Sequence, residues 1–256
     1  MATHREHIMD QFSRSADLFA TFPALTSEET LQLLLRLTDA TPKDVALDVA
    51  CGAGVVVCAF ATVVKHATGL DLVPAMIERA RALAAEKRLT NVSWREGDVL
   101  PLPFADESFS IVTSRYTFHH FEKPQAVLAE MKRVCARGGR ILVADMQASE
   151  DPMKAAALNR MERLRDPSHA RAMPATELQT LFRSLDLTPA DPVFCRLEFE
   201  VEALLKGSHP LPGGDTEVRR LFEQSLDDDG MALQTRREAD GIHFSYPIAV
   251  LVARKP

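Results

Sequence analysis

The sequence predicts an α/β fold built around a mostly parallel sheet. Three observations predict it. Short apolar segments alternate with helix-length segments from Val45 to Asp145, a glycine turn follows the first of them, and an acid closes the second. Regular strand–helix alternation selects parallel strands joined by right-handed crossovers, with helices on the sheet faces. The 256 residues are enough for one large domain, and 46% hydrophobic with 26% charged residues supports a packed core rather than disorder.

Taken in order, the first forty residues read as helical. Phe12, Ala16 and Phe19 fall at helical spacing, Pro23 interrupts, and Ser27 caps a leucine-rich segment with Glu28 and Glu29 in its first turn. Val45 to Ala50 is the first strand. It ends in Cys51-Gly52-Ala53-Gly54, and Val55 to Val64 follows as a buried helix despite its β-branched residues. His66 to Leu72 is the second strand, and Pro74 starts a helix running to Lys87. Val92 to Arg95 and Phe109 to Ser114 are the third and fourth strands. Gln125 to Ala136 is an amphipathic helix closed by Gly138-Gly139, and Arg140 to Asp145 is the fifth strand. Beyond Glu150 the pattern changes. Helices are expected at Pro152 to Leu164, Ala175 to Leu185 and Glu217 to Leu226, an alternating strand at Val193 to Val201, and a final strand at His243 to Ala253. The whole is expected as one domain. Residues 1–40 form a helical lid, 41–150 a ligand-binding core, 151–242 a helical cap with acceptor-side insertions, and 243–256 the last strand.

The formal net charge of −6 and the lack of a basic stripe interleaved with aromatics disfavour a nucleic-acid binder. The four cysteines, Cys51, Cys58, Cys135 and Cys195, form no CxxC pair and read as reduced structural residues, which points to the cytoplasm. Met1 to Asp10 is polar, without the apolar core of a signal peptide, and no apolar run is long enough to span a bilayer.

Ligands of open α/β sheets bind at the carboxyl ends of strands, where the strand order reverses. Asp48-Val49-Ala50-Cys51-Gly52-Ala53-Gly54 lies there, and its glycines let backbone approach a ligand closely. A third glycine of the dinucleotide fingerprint is replaced by Val57, which opposes NAD. Asp71, at the end of the second strand, has the spacing of an acid that accepts two ribose hydroxyls. Asp98, ending the third, can accept from an adenine amine while the Val99 N–H meets a ring nitrogen and Leu72 and Met76 enclose the ring.

The segments Leu47 to Gly54, Gly69-Leu70-Asp71-Leu72, Gly97 to Phe109 and Gly138-Gly139-Arg140 resemble the successive motifs of class I S-adenosylmethionine-dependent methyltransferases. The likeness runs from about residue 10 to residue 150 and is strongest to the subgroup of ubiquinone/menaquinone C-methyltransferases (methyltransferase type 11). Glu162 to His169 and Ala249 to Pro256 resemble a bacterial branch of it. This resemblance implies a Rossmann-like sheet of seven strands in the order 3-2-1-4-5-7-6, strand 7 antiparallel. It implies S-adenosylmethionine as cofactor and S-adenosylhomocysteine as product. Asp48, Ala50, Gly52 and Gly54 would hold the methionine end, Asp71 the ribose, and Asp98 and Val99 the adenine. Arg115 would face the cofactor, and Phe12 and Phe19 would belong to an N-terminal lid over the acceptor. Cys51 departs from the glycine or other small residue common at its position.

Methyl transfer is an in-line displacement, for which the protein aligns the nucleophile and excludes water. A base is needed only when the acceptor must lose a proton. His119 and His120, after the fourth strand, are the candidate bases, with Tyr116 and His169 on the acceptor side. Adjacent histidines lack the i,i+4 spacing of a metal pair, so no metal is expected. The expected acceptor is a small, hydrophobic or quinone-like molecule methylated on carbon or oxygen. Two other readings stay open: a cofactor-binding regulator or partner subunit without catalysis, and an NAD-dependent oxidoreductase.

Overall fold

A computed structural model describes residues 2–256; Met1, the first residue of the polar N-terminal stretch, lies outside them. Three helices lead the chain: α1 (His4–Thr21), α2 (Pro23–Thr26) and α3 (Glu28–Leu37). The Thr3 side chain accepts from the Glu6 N–H while Glu6 accepts from the Thr3 N–H, a reciprocal cap that starts α1 three residues into the chain. Pro23 begins α2 and Ser27 caps α3, as the sequence suggests.

The alternating core follows: β1 (Val45–Val49), α4 (Val55–Ala61), β2 (His66–Asp71), α5 (Pro74–Glu86), β3 (Val92–Glu96), β4 (Phe109–Arg115), α6 (Pro124–Val134) and β5 (Cys135–Ala148). Then come α7 (Pro152–Arg165), the two-residue β6 (Met173–Pro174), α8 (Ala175–Arg183), β7 (Val193–Glu200), α9 (Val201–Lys206), α10 (Gly214–Asp228), the short β8 (Arg236–Glu238) and β9 (Gly241–Arg254). The strands lie in the order β3-β2-β1-β4-β5-β9-β7, with β6 beside β5 and β8 beside β9. Leaving out those two short strands, this is the expected order. β9 runs antiparallel to both neighbours while the pairs from β3 to β5 are parallel.

Strand periodicity sorts the core into two layers. Ala46, Ile111, Leu142 and Ala144 face one side, packed with Leu34, Phe60, Leu158 and Phe222 of α3, α4, α7 and α10. Leu47, Val49, Val112, Ile141 and Val143 face the other, against Leu128 and Met131 of α6 and Phe182 of α8. Residues 151–242 are therefore less uniform than a helical cap. α8 covers the sheet beside α6 and β7 extends the sheet, so α7, α9 and α10 are left to build over the β5–β9–β7 end. The alternation of Val193 to Val201 is that of an edge strand, a pattern the sequence displays without saying where the strand pairs.

Candidate active site

The strand order reverses between β1 and β4, and a cavity of about 380 Å³ opens beyond their carboxyl ends. Asp48, Ala50, Gly52, Asp71, Leu72, Met76, Asp98, Val99 and Arg115 line it, as do Phe12, Phe19, Tyr116 and His120. Left-handed backbone at Ala50 (φ 56°) and Gly52 (φ 52°) folds the β1 turn into its floor. Asp71 is buried and accepts the N–H groups of Gly52 (2.7 Å) and Val73 (2.9 Å), so one carboxylate ties the first glycine turn to the end of β2. Burial pushes its pKa up, against these backbone hydrogen bonds. Burial also lifts Asp48 to about 7, opposed by the Thr113 hydroxyl at 2.7 Å and the charge of Arg115.

Gly54 is the exception in the turn. It caps α4 with φ 79° and does not line the cavity. A Cβ there would lie 2.6 Å from the Trp94 ring and 2.7 Å from the Ala80 Cβ. Its lack of a side chain makes room for Trp94 and Ala80.

Arg115 donates to the Leu25 carbonyl through Nη2 (2.8 Å), while Nη1 is buried without a partner. A buried cation with an unfilled donor suits the α-carboxylate of an amino-acid ligand. Together with the Asp71 carboxylate, an acceptor for hydroxyls, and the apolar Leu72 and Met76, it gives the cavity groups complementary to S-adenosylmethionine.

Helix α1 crosses the mouth. Phe12 and Phe19 pack edge to face at 5.5 Å and enclose the cavity from that side. Arg5 pairs with Asp98 at 2.6 Å and the His4 ring bonds the His120 carbonyl at 2.8 Å. The Arg5 pair is solvent-exposed, so it holds the helix by no more than about 1 kcal/mol. Asp98, expected at the adenine, lines the cavity and is also the partner of Arg5, a contact the sequence does not signal.

A second cavity of about 100 Å³ adjoins the first and shares the walls Phe12, Phe19, Leu25, Tyr116 and His120. Phe22, Leu197, Phe199 and Ile248 make it apolar, and His119, Asp145, Arg165 and Asp166 supply its polar end. Asp145 accepts both the His119 backbone N–H and His119 Nδ1, each at 2.7 Å. A carboxylate only accepts here, so Nδ1 carries the hydrogen and Nε2 is the free lone pair. Burial alone would lower the His119 pKa, but the Asp145 charge and hydrogen bond outweigh it and raise it. His120 goes the other way, to about 4, because it is buried beside His119, ring centroids 4.2 Å apart. Its Nδ1 donates to the Ser168 carbonyl at 2.9 Å. Asp145 was not singled out from the sequence; its partner lies 26 residues away, so no local spacing pairs the two.

His169 lines neither cavity. It is buried beside His119, with Nε2 donating to the Asn159 side-chain oxygen at 2.8 Å and Nδ1 without a partner, so the structure does not bring it to the acceptor side where the sequence placed it. The ligand-atom grouping that could hold a metal among the described residues is Glu238, Asp240 and His243, away from the histidines of the cavities.

Residues 47–143 match the methyltransferase-domain family. Over 195 residues, 76% of this chain, it is 33% identical to the uncharacterized methyltransferase YcgJ of Bacillus subtilis and covers 77% of that protein. The crystal structure of YcgJ superimposes with a TM-score of 0.82 at 29% identity, over 89% of this chain and 98% of that one. That of a putative methyltransferase from Bacillus halodurans gives 0.82 at 27% identity, over 89% and 99%. A demethylmenaquinone methyltransferase of Deinococcus radiodurans is 40% identical over 103 residues, 38% of this chain and 41% of its own length. The fold, the glycine turn and these relatives define a class I S-adenosylmethionine-dependent methyltransferase. This chain belongs to the methyltransferase-domain family.

Proposed function

We propose that the enzyme methylates a small, apolar, hydroxylated acceptor, quinone-like in character, on oxygen or on the carbon that a deprotonated hydroxyl activates. The observation that carries this reading is the second cavity: apolar walls, a buried His119–Asp145 pair at its end, and shared walls with the cavity that suits the cofactor. The demethylmenaquinone relative supports a ring-shaped acceptor through the common core.

The bound cofactor supplies an electrophilic methyl group on a sulfonium that leaves readily. The protein does the rest. Asp71 holds the ribose hydroxyls, Arg115 the methionine carboxylate, Asp98 and Val99 the adenine edge, and Leu72 and Met76 its faces. Phe12 and Phe19 keep water from the junction of the two cavities. His119 Nε2 takes the acceptor's hydroxyl proton, and Asp145 stabilises the imidazolium that results. His120, held by Ser168, shapes the junction and orients the acceptor. No acceptor group in this scheme needs nucleic acid or a metal.

The test is calorimetric titration with S-adenosylmethionine, S-adenosylhomocysteine and NAD in parallel, followed by transfer of labelled methyl to a panel of phenols, quinols and amines. Micromolar-order binding of the first two, none of NAD, and label in phenols or quinols is the expected result. Label confined to amines would replace the acceptor class. Binding without transfer to any acceptor would favour a regulatory subunit.

A further inference from the structure

Tyr116 is the odd residue of the junction. It follows β4 with φ 57°, left-handed backbone that a bulky side chain rarely adopts. Its own N–H donates to the Ala144 carbonyl at 2.8 Å, which fixes that conformation to the neighbouring strand. The ring lies under the Arg115 guanidinium, 4.8 Å from centroid to Cζ, and borders both cavities. Its hydroxyl is buried beside the Arg115 guanidinium, which is near enough to act on it, but no group meets it at full hydrogen-bond geometry. Buried hydroxyls are nearly always satisfied, so an orphan on a cavity wall marks a place where a ligand atom belongs. Besides Arg115, the charged and titratable groups acting on this hydroxyl are Cys195 and Asp145, on β7 and β5, the strands of the second cavity's side. Burial pushes the phenol up to about 12, so it keeps its proton and offers a donor.

We propose that Tyr116 selects the acceptor by donating its O–H to an oxygen that the acceptor carries in addition to the atom receiving the methyl group. The proposal rests on the acceptor-pocket reading above and narrows it. The substrate class is an apolar ring bearing one hydroxyl near His119 and, apart from it, a carbonyl or ether oxygen near Tyr116. A molecule with the hydroxyl alone leaves the tyrosine unsatisfied, and a site built to make a hydrogen bond rejects analogues that lack the partner.

The experiment compares hydroxyacetophenones (2-, 3- and 4-) with the matching ethylphenols, which have the same shape with a methylene in place of the carbonyl. Binding to protein saturated with S-adenosylhomocysteine is measured by calorimetry, and methyl transfer is measured separately, for wild type and Tyr116→Phe. At least one ketone is expected to bind about tenfold tighter than its ethyl counterpart. Tyr116→Phe should erase that preference while keeping S-adenosylhomocysteine affinity within about twofold. The ratio of ketone to ethyl affinity is insensitive to a general loss of fold. No preference in wild type, or a preference that survives in Tyr116→Phe, overturns the proposal. So does a large loss of S-adenosylhomocysteine binding in the variant, which would assign the hydroxyl to the cofactor. Absence of binding by every phenol to the S-adenosylhomocysteine complex overturns it too. Failure of wild type to bind S-adenosylhomocysteine at all is a different result, since it removes the underlying enzyme reading.

Discussion

The two glycines of the β1 turn have opposite jobs, and alanine substitution separates them. At Gly54 an added Cβ meets the Trp94 ring at 2.6 and 2.9 Å and the Ala80 Cβ at 2.7 Å, on a backbone with φ 79°. Left-handed backbone costs an L residue about 1–2 kcal/mol, and a methyl forced into a packed site costs about 1–3 kcal/mol more. Gly54→Ala should therefore lose about 2–5 kcal/mol of stability. At Gly52 the φ is 52°, but the nearest atom to an added Cβ is Met76 Sδ at 4.0 Å. Only the backbone cost applies, about 1–2 kcal/mol. Gly52 faces the cavity, so its methyl group intrudes on the ligand instead. Urea unfolding without ligand and calorimetric titration with S-adenosylhomocysteine read the two effects independently. Gly54→Ala should shift the urea midpoint by more than Gly52→Ala, while Gly52→Ala should show the larger loss of affinity per folded molecule. Equal stabilities, or a Gly54→Ala protein that is fully stable but binds poorly, would refute the assignment of Gly54 to packing.

Asp71→Asn keeps the side-chain shape but removes the charge and one acceptor. S-adenosylhomocysteine affinity should drop about 10–100-fold, measured by calorimetry, from hydrogen bonds made to a charged group. Some stability should go as well, because Asp71 also holds the Gly52 and Val73 N–H groups. The pH dependence of kcat/KM distinguishes the two histidines. If His119 is the base it must be neutral to act, so the rate rises with pH on a limb above 6.5, the direction in which Asp145 shifts it. Asp145→Asn should move that limb to lower pH and lower the plateau, whereas a limb near 4 would give the role to His120. His120 also bears on acid stability. Its folded pKa of about 4 lies below the ordinary 6.5, so the unfolded chain takes up the proton first. The stability due to its neutral burial is complete above 6.5 and is lost as pH falls from 6.5 to 4, on the order of 3 kcal/mol. His120→Asn should flatten that part of the stability curve in urea unfolding at stepped pH; an unchanged slope would show that other groups govern it.

What the sequence made legible was what short stretches of chain decide on their own. The glycine turn, Asp71 at the end of β2, and the strand–helix alternation each need only a few adjacent residues, and together they place the cofactor cavity. Even there, contact and packing look the same in one dimension: Gly52 and Gly54 are both left-handed glycines, and only the position of Trp94, 40 residues away on β3, tells them apart. The acceptor side was less legible because no single segment builds it. Phe12 and Phe19 come from α1, Tyr116, His119 and His120 from the turn after β4, Asp145 from β5, Arg165 and Asp166 from the end of α7, Phe199 from β7 and Ile248 from β9. The chain gives no periodic sign of such a set. His169 illustrates the converse, for a histidine near the expected cap looked like an acceptor ligand until Asn159 proved to hold it. Asp145 is the instructive case between the two. Inside an apolar strand, a carboxylate must be desolvated, and it persists only where donors meet it. The backbone and ring of His119 and the Met146 N–H are those donors. A buried acid in a central strand is therefore a sign that donors must lie near it, and the residue that supplies two of them, His119, sits in the turn that follows β4.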